Sequence, residues 1–211
     1  MSNVKLQWAT PDIDKQIMFM ARVSNPANQT SENSRLLHYC MEHGHVSPFE
    51  MASACLEINT TRDIARQILR HRSFSFQEFS QRYQDATQLG EFITRECRLQ
   101  DTKNRQNSLE CDDVGLAARW AVMQDSVARM ALDAYECALE AGIAKEQARA
   151  LLPEGLTPSR LYMSGNMRSW IFYLQQRFDP STQKEHREIA EQALAILREV
   201  APITMAAFFH E

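Results

Sequence analysis

Residues 114–140 carry the feature that most constrains the fold of this chain. Apolar side chains recur there at spacings of three and four residues, namely Leu116, Trp120, Met123, Val127, Met130, Ala134 and Cys137. This spacing is typical of one long amphipathic helix, and Gly142 directly after it predicts where the helix ends. We interpret the apolar stripe as part of the core or as a subunit interface, rather than as a cofactor-binding surface.

The rest of the chain has the pattern of shorter helices mixed with a few short strands. Helical spacing or capping residues predict helices after Thr10-Pro11 and over residues 32–42, 145–151, 166–177, 184–200 and 202–209. Strand patterns cover residues 4–8, 52–58, 74–77, 92–99 and 159–164, and a polar loop is expected over residues 100–113. We therefore predict an α+β fold: a mostly helical single domain over residues 1–211 with a small antiparallel sheet. A Rossmann cofactor site is not expected, because βαβ alternation with a glycine-rich turn is missing.

Charge and hydropathy exclude two classes of partner. The chain has 23 Lys and Arg against 27 Asp and Glu, and therefore a net charge of −4. This balance argues against a general nucleic-acid-binding protein, whose affinity comes largely from a basic surface. Residues 1–8 lack the apolar core of a signal peptide, and no apolar run approaches the roughly 18 residues of a membrane span. We expect a cytoplasmic protein that binds neither nucleic acid nor membrane.

The cysteines and histidines do not form a metal-binding pattern. The five cysteines are Cys40, Cys55, Cys97, Cys111 and Cys137. Their number is odd, they are widely scattered, and no Cys-x-x-Cys pair occurs, so we interpret them as buried or incidental thiols. His43 and His45 lie close together but have no matching cysteine or carboxylate cluster, so no metal site is predicted.

Residues 70–82 concentrate the polar chemistry of the chain. Arg70, His71 and Arg72 close a predicted helix, and a strand-like alternation with Phe74 and Phe76 on one side follows. Arginine forks and serine hydroxyls suit a phosphate, whereas a glutamate at position 78 would accept hydrogen bonds from a ribose or a base. From the residues alone, two interpretations stay open: a nucleotide site, or a solvated helix end followed by an amphipathic strand.

The same segment resembles the signature of the flavin-dependent thymidylate synthases. The matched positions are Arg70, His71, Arg72, Ser75, Glu78, Ser80 and Arg82. A second match is the loop that contains His45 and Ser47, and the resemblance extends from about Ala21 to the C-terminal helices. Three positions depart from the expected pattern: Gln77 replaces an asparagine, Met51 a histidine and Phe172 an asparagine.

The resemblance implies a cofactor site, a substrate site and an assembly. It places around FAD the residues His45, Ser47, Arg70, His71, Arg72, Glu78, Asn166 and Arg168. It places around dUMP the residues Gln67, Arg70, Glu78, Ser80, Gln81, Arg82, Arg149 and Arg177. Arg177 matches the catalytic arginine that acts on the uracil ring. The implied enzyme is a homotetramer with sites at subunit junctions, without a metal and without a cysteine nucleophile. It would methylate dUMP to dTMP with 5,10-methylenetetrahydrofolate as carbon donor and NADPH as reductant of the FAD.

Two further expectations follow from the residues themselves. Arg168 and Arg177 are nine residues apart on one predicted helix, so they project about 180° from one another and serve two neighbouring sites or ligands. The alternative function is a non-catalytic nucleotide-binding or nucleic-acid-binding protein that uses Arg70, Arg72 and Arg82 for phosphate alone. Glu78 within the cluster and the acidic net charge argue against that alternative. A third possibility is a structural scaffold, but a scaffold would leave the polar cluster unexplained.

Overall fold

The computed structural model describes residues 2–209, so Met1, His210 and Glu211 of the predicted domain lie outside it. Six strands are present in this range: β1 (Asn3–Ala9), β2 (Ser53–Thr61), β3 (Ser75–Glu78), β4 (Arg98–Gln100), β5 (Ser108–Glu110) and β6 (Pro158–Asn166). Four of them form an antiparallel sheet in the order β1-β2-β6-β3. The other two, β4 and β5, form a separate antiparallel hairpin.

The same range contains eight α-helices: α1 (Ile13–Ala21), α2 (Arg35–Glu42), α3 (Arg62–Ile68), α4 (Val114–Glu140), α5 (Lys145–Ala148), α6 (Met167–Arg177), α7 (Lys184–Val200) and α8 (Pro202–Phe208). Four short 3₁₀ turns cover Pro26–Asn28, Ser47–Met51, Ala86–Leu89 and Arg149–Leu151. The predicted α+β class with a small antiparallel sheet is confirmed. Within residues 2–209, no helix combines the length and the apolar content that crossing a bilayer demands.

The hydrophobic core lies between the central strands and the helices α1, α6 and α7. Leu56 and Leu161 point from the sheet, and Trp170 and Ile189 point from α6 and α7; all four are fully buried. The indole N–H of Trp170 donates to the backbone oxygen of Ala54 at 3.1 Å, so α6 is tied to β2 within the core. This anchoring matters because α6 carries two of the predicted site arginines.

Helix α4 has the predicted bounds, and Gly142 ends it with a left-handed φ of 81°. Its apolar stripe is not part of the core, however: Trp120 is 37% and Met130 73% exposed, and Met123 and Val127 lie between them. The side chains that α4 does bury are Gln124, Tyr135 and Ala138. Of the two interpretations of this stripe, the core is excluded for the isolated chain, and the subunit interface stays a prediction.

Two local predictions were wrong. The helix predicted to be capped at Thr10-Pro11 begins instead at Ile13, after Asp12 in a left-handed conformation with φ 50°. The Thr10 hydroxyl is engaged elsewhere, because it accepts the backbone N–H of Ser53 at 3.0 Å and so joins the two strands. The strand predicted over residues 92–99 is reduced to β4, since its partner β5 offers only three residues from within the expected polar loop.

Candidate active site

Helix α6 sets the distance between two of the predicted site residues. Its start is fixed by Asn166, whose side-chain oxygen accepts the backbone N–H of Ser169 at 2.9 Å. Arg168 lies in the first turn and Arg177 is the last residue of the helix. A rise of 1.5 Å per residue separates their Cα atoms by about 14 Å. The two arginines therefore belong to two different surroundings, as their spacing predicted.

The Arg70-His71-Arg72 turn follows α3 and lies along α6. The backbone oxygen of Ser73 accepts the hydroxyl of Ser169 at 3.1 Å near the start of α6. Phe74 packs edge-on against Trp170 with ring centroids 4.8 Å apart. This packing needs a glycine at position 165, because a Cβ there would lie 2.4 Å from the Phe74 ring. Apolar packing of Phe74 thus holds the polar turn in place.

At the C-terminal end of α6, Arg177 is bound to His71. The Arg177 Nε donates to His71 Nε2 at 3.0 Å, and an Nη of the same guanidinium lies 2.8 Å from that nitrogen. A ring nitrogen that accepts from a guanidinium carries no proton, so His71 is neutral. Burial, and then the charge of Arg177, lower the pKa of His71 to about 4. Burial also lowers the pKa of Arg177, and Arg70 adds a like charge nearby.

A buried polar network lies behind this pair. The His186 Nε2 is 3.1 Å from the hydroxyl of Tyr173, and its Nδ1 is 3.3 Å from the side-chain oxygen of Gln67. The Gln67 amide donates in turn to Gln183 at 2.8 Å. Burial, and then the charge of Arg177, lower the pKa of His186 to about 3, while burial raises the pKa of Tyr173. Sequence reasoning identified Gln67 but missed Tyr173 and His186; the spacing of Tyr173 one turn before Arg177 was the available signal.

A polar cavity of about 610 Å³ opens beside this network. Its lining includes Gln67, Gln106, Arg177, Asp179 and Gln183. Amides and a guanidinium are the groups that can read the polar edge of a nucleobase. A second cavity of similar volume lies between α4 and residues 86–94, and the predicted site residues are not among its described lining. The chemistry therefore favours the cavity at Arg177.

At the N-terminal end of α6, Arg168 has different partners. It donates to the Glu50 carboxylate at 2.7 Å, and its guanidinium carbon lies 5.4 Å from the centre of the Phe172 ring. Glu50 belongs to the 3₁₀ turn Ser47–Met51, which packs on α6. The structure thus brings the predicted residues Ser47, Asn166 and Arg168 to one end of the helix.

The same end carries two of the departures from the family pattern and the histidine loop. Phe172, in place of an asparagine, supplies the ring that Arg168 covers, and Met51 is exposed on the 3₁₀ turn. His45 is exposed and forms an aromatic group with Tyr39 and His43, with ring centroids 5.9 and 6.0 Å from its own. His45 can therefore present a ring edge to a ligand.

A third group of predicted residues lies after the end of β3. The Arg82 Nε donates to the Glu146 carboxylate at 3.3 Å, and the Arg149 Nε donates to the Glu146 backbone oxygen at 3.2 Å. Sequence reasoning missed Lys145, whose ammonium donates to the backbone oxygen of Tyr83 at 3.2 Å. Two arginines that are 67 residues apart in the chain thus meet at one residue, with a lysine beside them.

The remaining residues of the predicted site differ in how many hydrogen bonds and ion pairs they form. Glu78 accepts the Ser159 hydroxyl at 2.7 Å and lies 3.6 Å from Arg62. Arg70 and Arg72 are exposed, and neither makes a hydrogen bond or ion pair with any of residues 2–209. The Gln81 Nε2 is buried and has no hydrogen-bond partner in the same range. Ser80 accepts the backbone N–H of Arg82 at 3.4 Å.

The described part of the chain contains no group of three His, Cys, Asp or Glu side chains that could hold a metal ion. The donors gathered around α6 and β3 are guanidiniums, amides and hydroxyls, which suit anions and nucleobases. The arrangement can therefore bind and polarise a nucleotide.

Comparison with known proteins identifies several relatives. Residues 5–203 match the family described as Thy1, thymidylate synthase complementing protein. The chain is 50% identical over 191 residues to the flavin-dependent thymidylate synthase of Synechocystis sp., covering 90% of this chain and 87% of the relative. It is 47% identical over 179 residues to the probable flavin-dependent thymidylate synthase of Paramecium bursaria Chlorella virus 1, covering 84% and 82%.

A solved structure shows the same architecture. The UMP/dUMP methylase PolB from Streptomyces cacaoi, bound with 5-Br dUMP, superposes with a TM-score of 0.81. The alignment covers 99% of this chain and 94% of that one, at 28% sequence identity. The likeness therefore extends over the sheet and the helices that carry the candidate site.

Proposed function

Because the chain belongs to the flavin-dependent thymidylate synthase family and is an enzyme of that class, we propose that it methylates dUMP to dTMP. The carbon donor is 5,10-methylenetetrahydrofolate, and NADPH is the reductant of a bound FAD. The named relatives and the dUMP methylase structure support the reaction class. The contribution of this chain's own residues follows from the site geometry.

The observation that carries the proposal is that Arg177, which is bonded to His71, lines the polar cavity. Uracil C5 is a poor nucleophile, so electron density has to be pushed onto it. A guanidinium against N3 and O2 of the ring stabilises the electron-rich form, and a preorganised charge of this kind lowers the activation free energy by about a few kcal/mol. Neutral His71 fixes the direction of the Arg177 guanidinium without adding a competing positive charge.

The residues of the Arg70-His71-Arg72 turn fit the phosphates of a dinucleotide cofactor. Arg70 and Arg72 are exposed and unpaired within residues 2–209, so both forks are available to bind phosphate oxygens bidentately. At the N-terminal end of α6, Arg168 and the exposed His45 can hold the flavin ring system. When bound, the flavin supplies the hydride chemistry, and these residues orient it.

The Arg82, Arg149 and Lys145 group suits the phosphate of dUMP. The three cations contact Glu146 or Tyr83, and a nucleotide phosphate would compete with the Glu146 carboxylate for Arg82. The unpaired amide of Gln81 provides a neutral donor in the same segment. We assign Ser80, Gln81, Arg82 and Arg149 to the phosphate side and Gln67 and Arg177 to the base side.

We propose that the enzyme is a homotetramer whose interfaces include the apolar stripe of α4. A monomer rarely leaves a row of large apolar side chains such as Trp120, Val127 and Met130 in water. Light scattering should give four chains per particle. Mixing inactive Arg82→Ala chains with inactive Arg177→Ala chains should restore part of the activity if one site takes these two residues from different chains. A stable, active monomer would contradict this assembly.

We propose that no cysteine acts as nucleophile. Cys40 and Cys55 are buried, and burial raises the pKa of both thiols, which disfavours the reactive thiolate. Among the described residues, which include all five cysteines, no thiol is among those that line the cavity or bind Arg177. Replacement of each cysteine in turn by alanine should leave turnover within about tenfold, whereas loss of a true nucleophile can cost on the order of 10⁶-fold.

The decisive experiment combines flavin binding with product analysis. Purified protein should show the absorption bands of bound flavin, and it should convert dUMP to dTMP only when methylenetetrahydrofolate and NADPH are both present. A protein that binds dUMP but neither binds FAD nor forms dTMP would point to the non-catalytic nucleotide-binding alternative.

A further inference from the structure

Cys97 and Cys111 lie at the open end of the β4–β5 hairpin. The register pairs Arg98 with Glu110, so the next pair of facing positions toward the open end is Cys97 and Cys111. Facing residues in an antiparallel ladder have Cα atoms about 4.5 to 5.5 Å apart, which is within the span of a disulfide. The Cys111 thiol is close enough to Cys97 to raise the pKa of Cys97, and the Cys111 Sγ donates to the backbone oxygen of Asp113 at 3.8 Å. Unlike Cys40 and Cys55, both are partly exposed.

The hairpin connects this thiol pair to the candidate active site. Side chains alternate along a strand, so Arg98 points away from the face that carries Cys97. Arg98 forms an ion pair with Glu185, and Glu185 accepts the amide of Gln183 at 2.9 Å. Gln106, in the turn of the hairpin, lines the same cavity as Arg177. A covalent bond at the base of the hairpin would therefore restrain one wall of that cavity.

We propose that Cys97 and Cys111 form a redox modification site, a reversible intrachain disulfide made by exchange with a small-molecule disulfide such as oxidised glutathione. One thiolate attacks a sulfur of the oxidant, which forms a mixed disulfide and releases one glutathione thiolate. The second cysteine thiolate attacks the cysteine sulfur of the mixed disulfide and releases the other glutathione. Two electrons pass to the oxidant, and the two protons of the cysteines are taken up by the two released thiolates.

The surroundings predict slow exchange that speeds up with pH. Burial, and then the hydrogen bond and charge of Cys111 and the charge of Asp113, raise the pKa of Cys97. The attacking species is the thiolate, so the rate of mixed-disulfide formation should rise with pH through the alkaline range. Reduction by dithiothreitol should restore both thiols.

The test is peptide mapping of the whole protein after equilibration with oxidised glutathione. We expect one intrachain link between the peptides that contain Cys97 and Cys111, with a mass loss of two hydrogens, and full reversal by dithiothreitol. Amide hydrogen exchange of residues 101–107 should be slower in the oxidised protein than in the reduced protein, because the hairpin is closed at its base.

Matched variants make the test specific. Cys97→Ser and Cys111→Ser should each abolish the link, whereas Cys137→Ser, which removes the exposed cysteine on α4, should leave it unchanged. A link that involves Cys137, a link between chains, or no link in the wild-type protein would overturn the proposal. So would an oxidised protein whose amides at 101–107 exchange as fast as those of the reduced form. Because none of these readouts depends on turnover, the proposal is tested separately from the proposed function.

Discussion

The two ends of helix α6 carry an arginine each, and the two arginines are held in opposite ways. Arg168 is about half exposed, is paired with the carboxylate of Glu50, and covers the ring of Phe172. Arg177 is partly buried, its partner is a neutral imidazole, and none of the carboxylates within residues 2–209 forms an ion pair with it. The first cation is largely neutralised by the protein, and the second keeps its charge for a ligand.

This difference separates binding from chemistry. A neutralised, exposed arginine can orient a cofactor, but it contributes little electrostatic field in water. A desolvated arginine without a counter-ion acts strongly on any charge that develops next to it. We therefore expect substitutions at the C-terminal end of α6 to affect turnover, and substitutions at its N-terminal end to affect affinity.

The largest expected effect is that of Arg177→Ala. Turnover should fall by roughly 10² to 10³-fold, because the uracil ring loses the charge that stabilises its electron-rich form. FAD should stay bound, because the charge of Arg177 acts on the uracil ring rather than on the flavin. Single-turnover oxidation of reduced flavin with both substrates present measures the chemical step. If the variant reacts at the wild-type rate, Arg177 does not have the catalytic role.

The next effect is a dependence of stability on pH that arises from two histidines near Arg177, the partly buried His71 and the fully buried His186. The folded-state pKa values of about 4 for His71 and about 3 for His186 lie below the ordinary value of 6.5, so the unfolded chain binds more protons in this window. The stabilising contribution is present above pH 6.5 and is lost as pH falls toward 4. Each histidine should contribute a slope of about 1.4 kcal/mol per pH unit.

Urea unfolding between pH 4 and 7 measures this slope. His186→Gln should reduce the slope by about 1.4 kcal/mol per pH unit, the contribution of one proton, since glutamine fills a similar volume and does not titrate. His43→Gln is the matched control, because that ring is exposed outside the core. An unchanged slope in His186→Gln would show that this histidine is not held neutral in the folded protein.

A smaller effect is expected for Arg168→Ala. The loss of an exposed pair with Glu50 contributes at most about 1 kcal/mol to folding, so the protein should remain folded. FAD affinity should fall by roughly tenfold, as expected for one charge-assisted contact of about 1.5 kcal/mol, with a smaller change in the rate at saturating flavin. Titration of the apoprotein with FAD, followed by fluorescence, gives the affinity. A loss of turnover as large as that of Arg177→Ala would contradict the expectation that the N-terminal end of α6 acts on affinity and the C-terminal end on turnover.

The smallest effect is expected for Phe172→Asn, which restores the residue of the family pattern. It removes the ring under Arg168, a cation–π contact of about 0.5 to 1 kcal/mol at an exposed site. FAD affinity should therefore change by no more than about fivefold, in either direction. The same fluorescence titration measures it, with Arg168→Ala as the comparison variant. A change of 100-fold would mean that Phe172 itself contacts the flavin.

The sequence by itself determined the elements whose pattern is local. Helices α4, α6 and α7 have the predicted bounds to within one or two residues, because amphipathic spacing, the Asn166 cap and Gly142 are properties of short segments. The side chains at residues 70–82 suit phosphate and a base, but by themselves they left both a nucleotide site and a solvated helix end open, and the nucleotide site stays a prediction. The predicted opposition of Arg168 and Arg177 followed from helix geometry alone.

Only the tertiary structure decided which distant residues meet. The contact between Arg177 and His71, the network through Tyr173 and His186, and the meeting of Arg82 with Arg149 join segments far apart in the chain. Such contacts depend on sheet register and helix packing, which local spacing does not encode. The exposure of the α4 stripe is of the same kind, since an apolar pattern predicts that a face is buried but not what buries it.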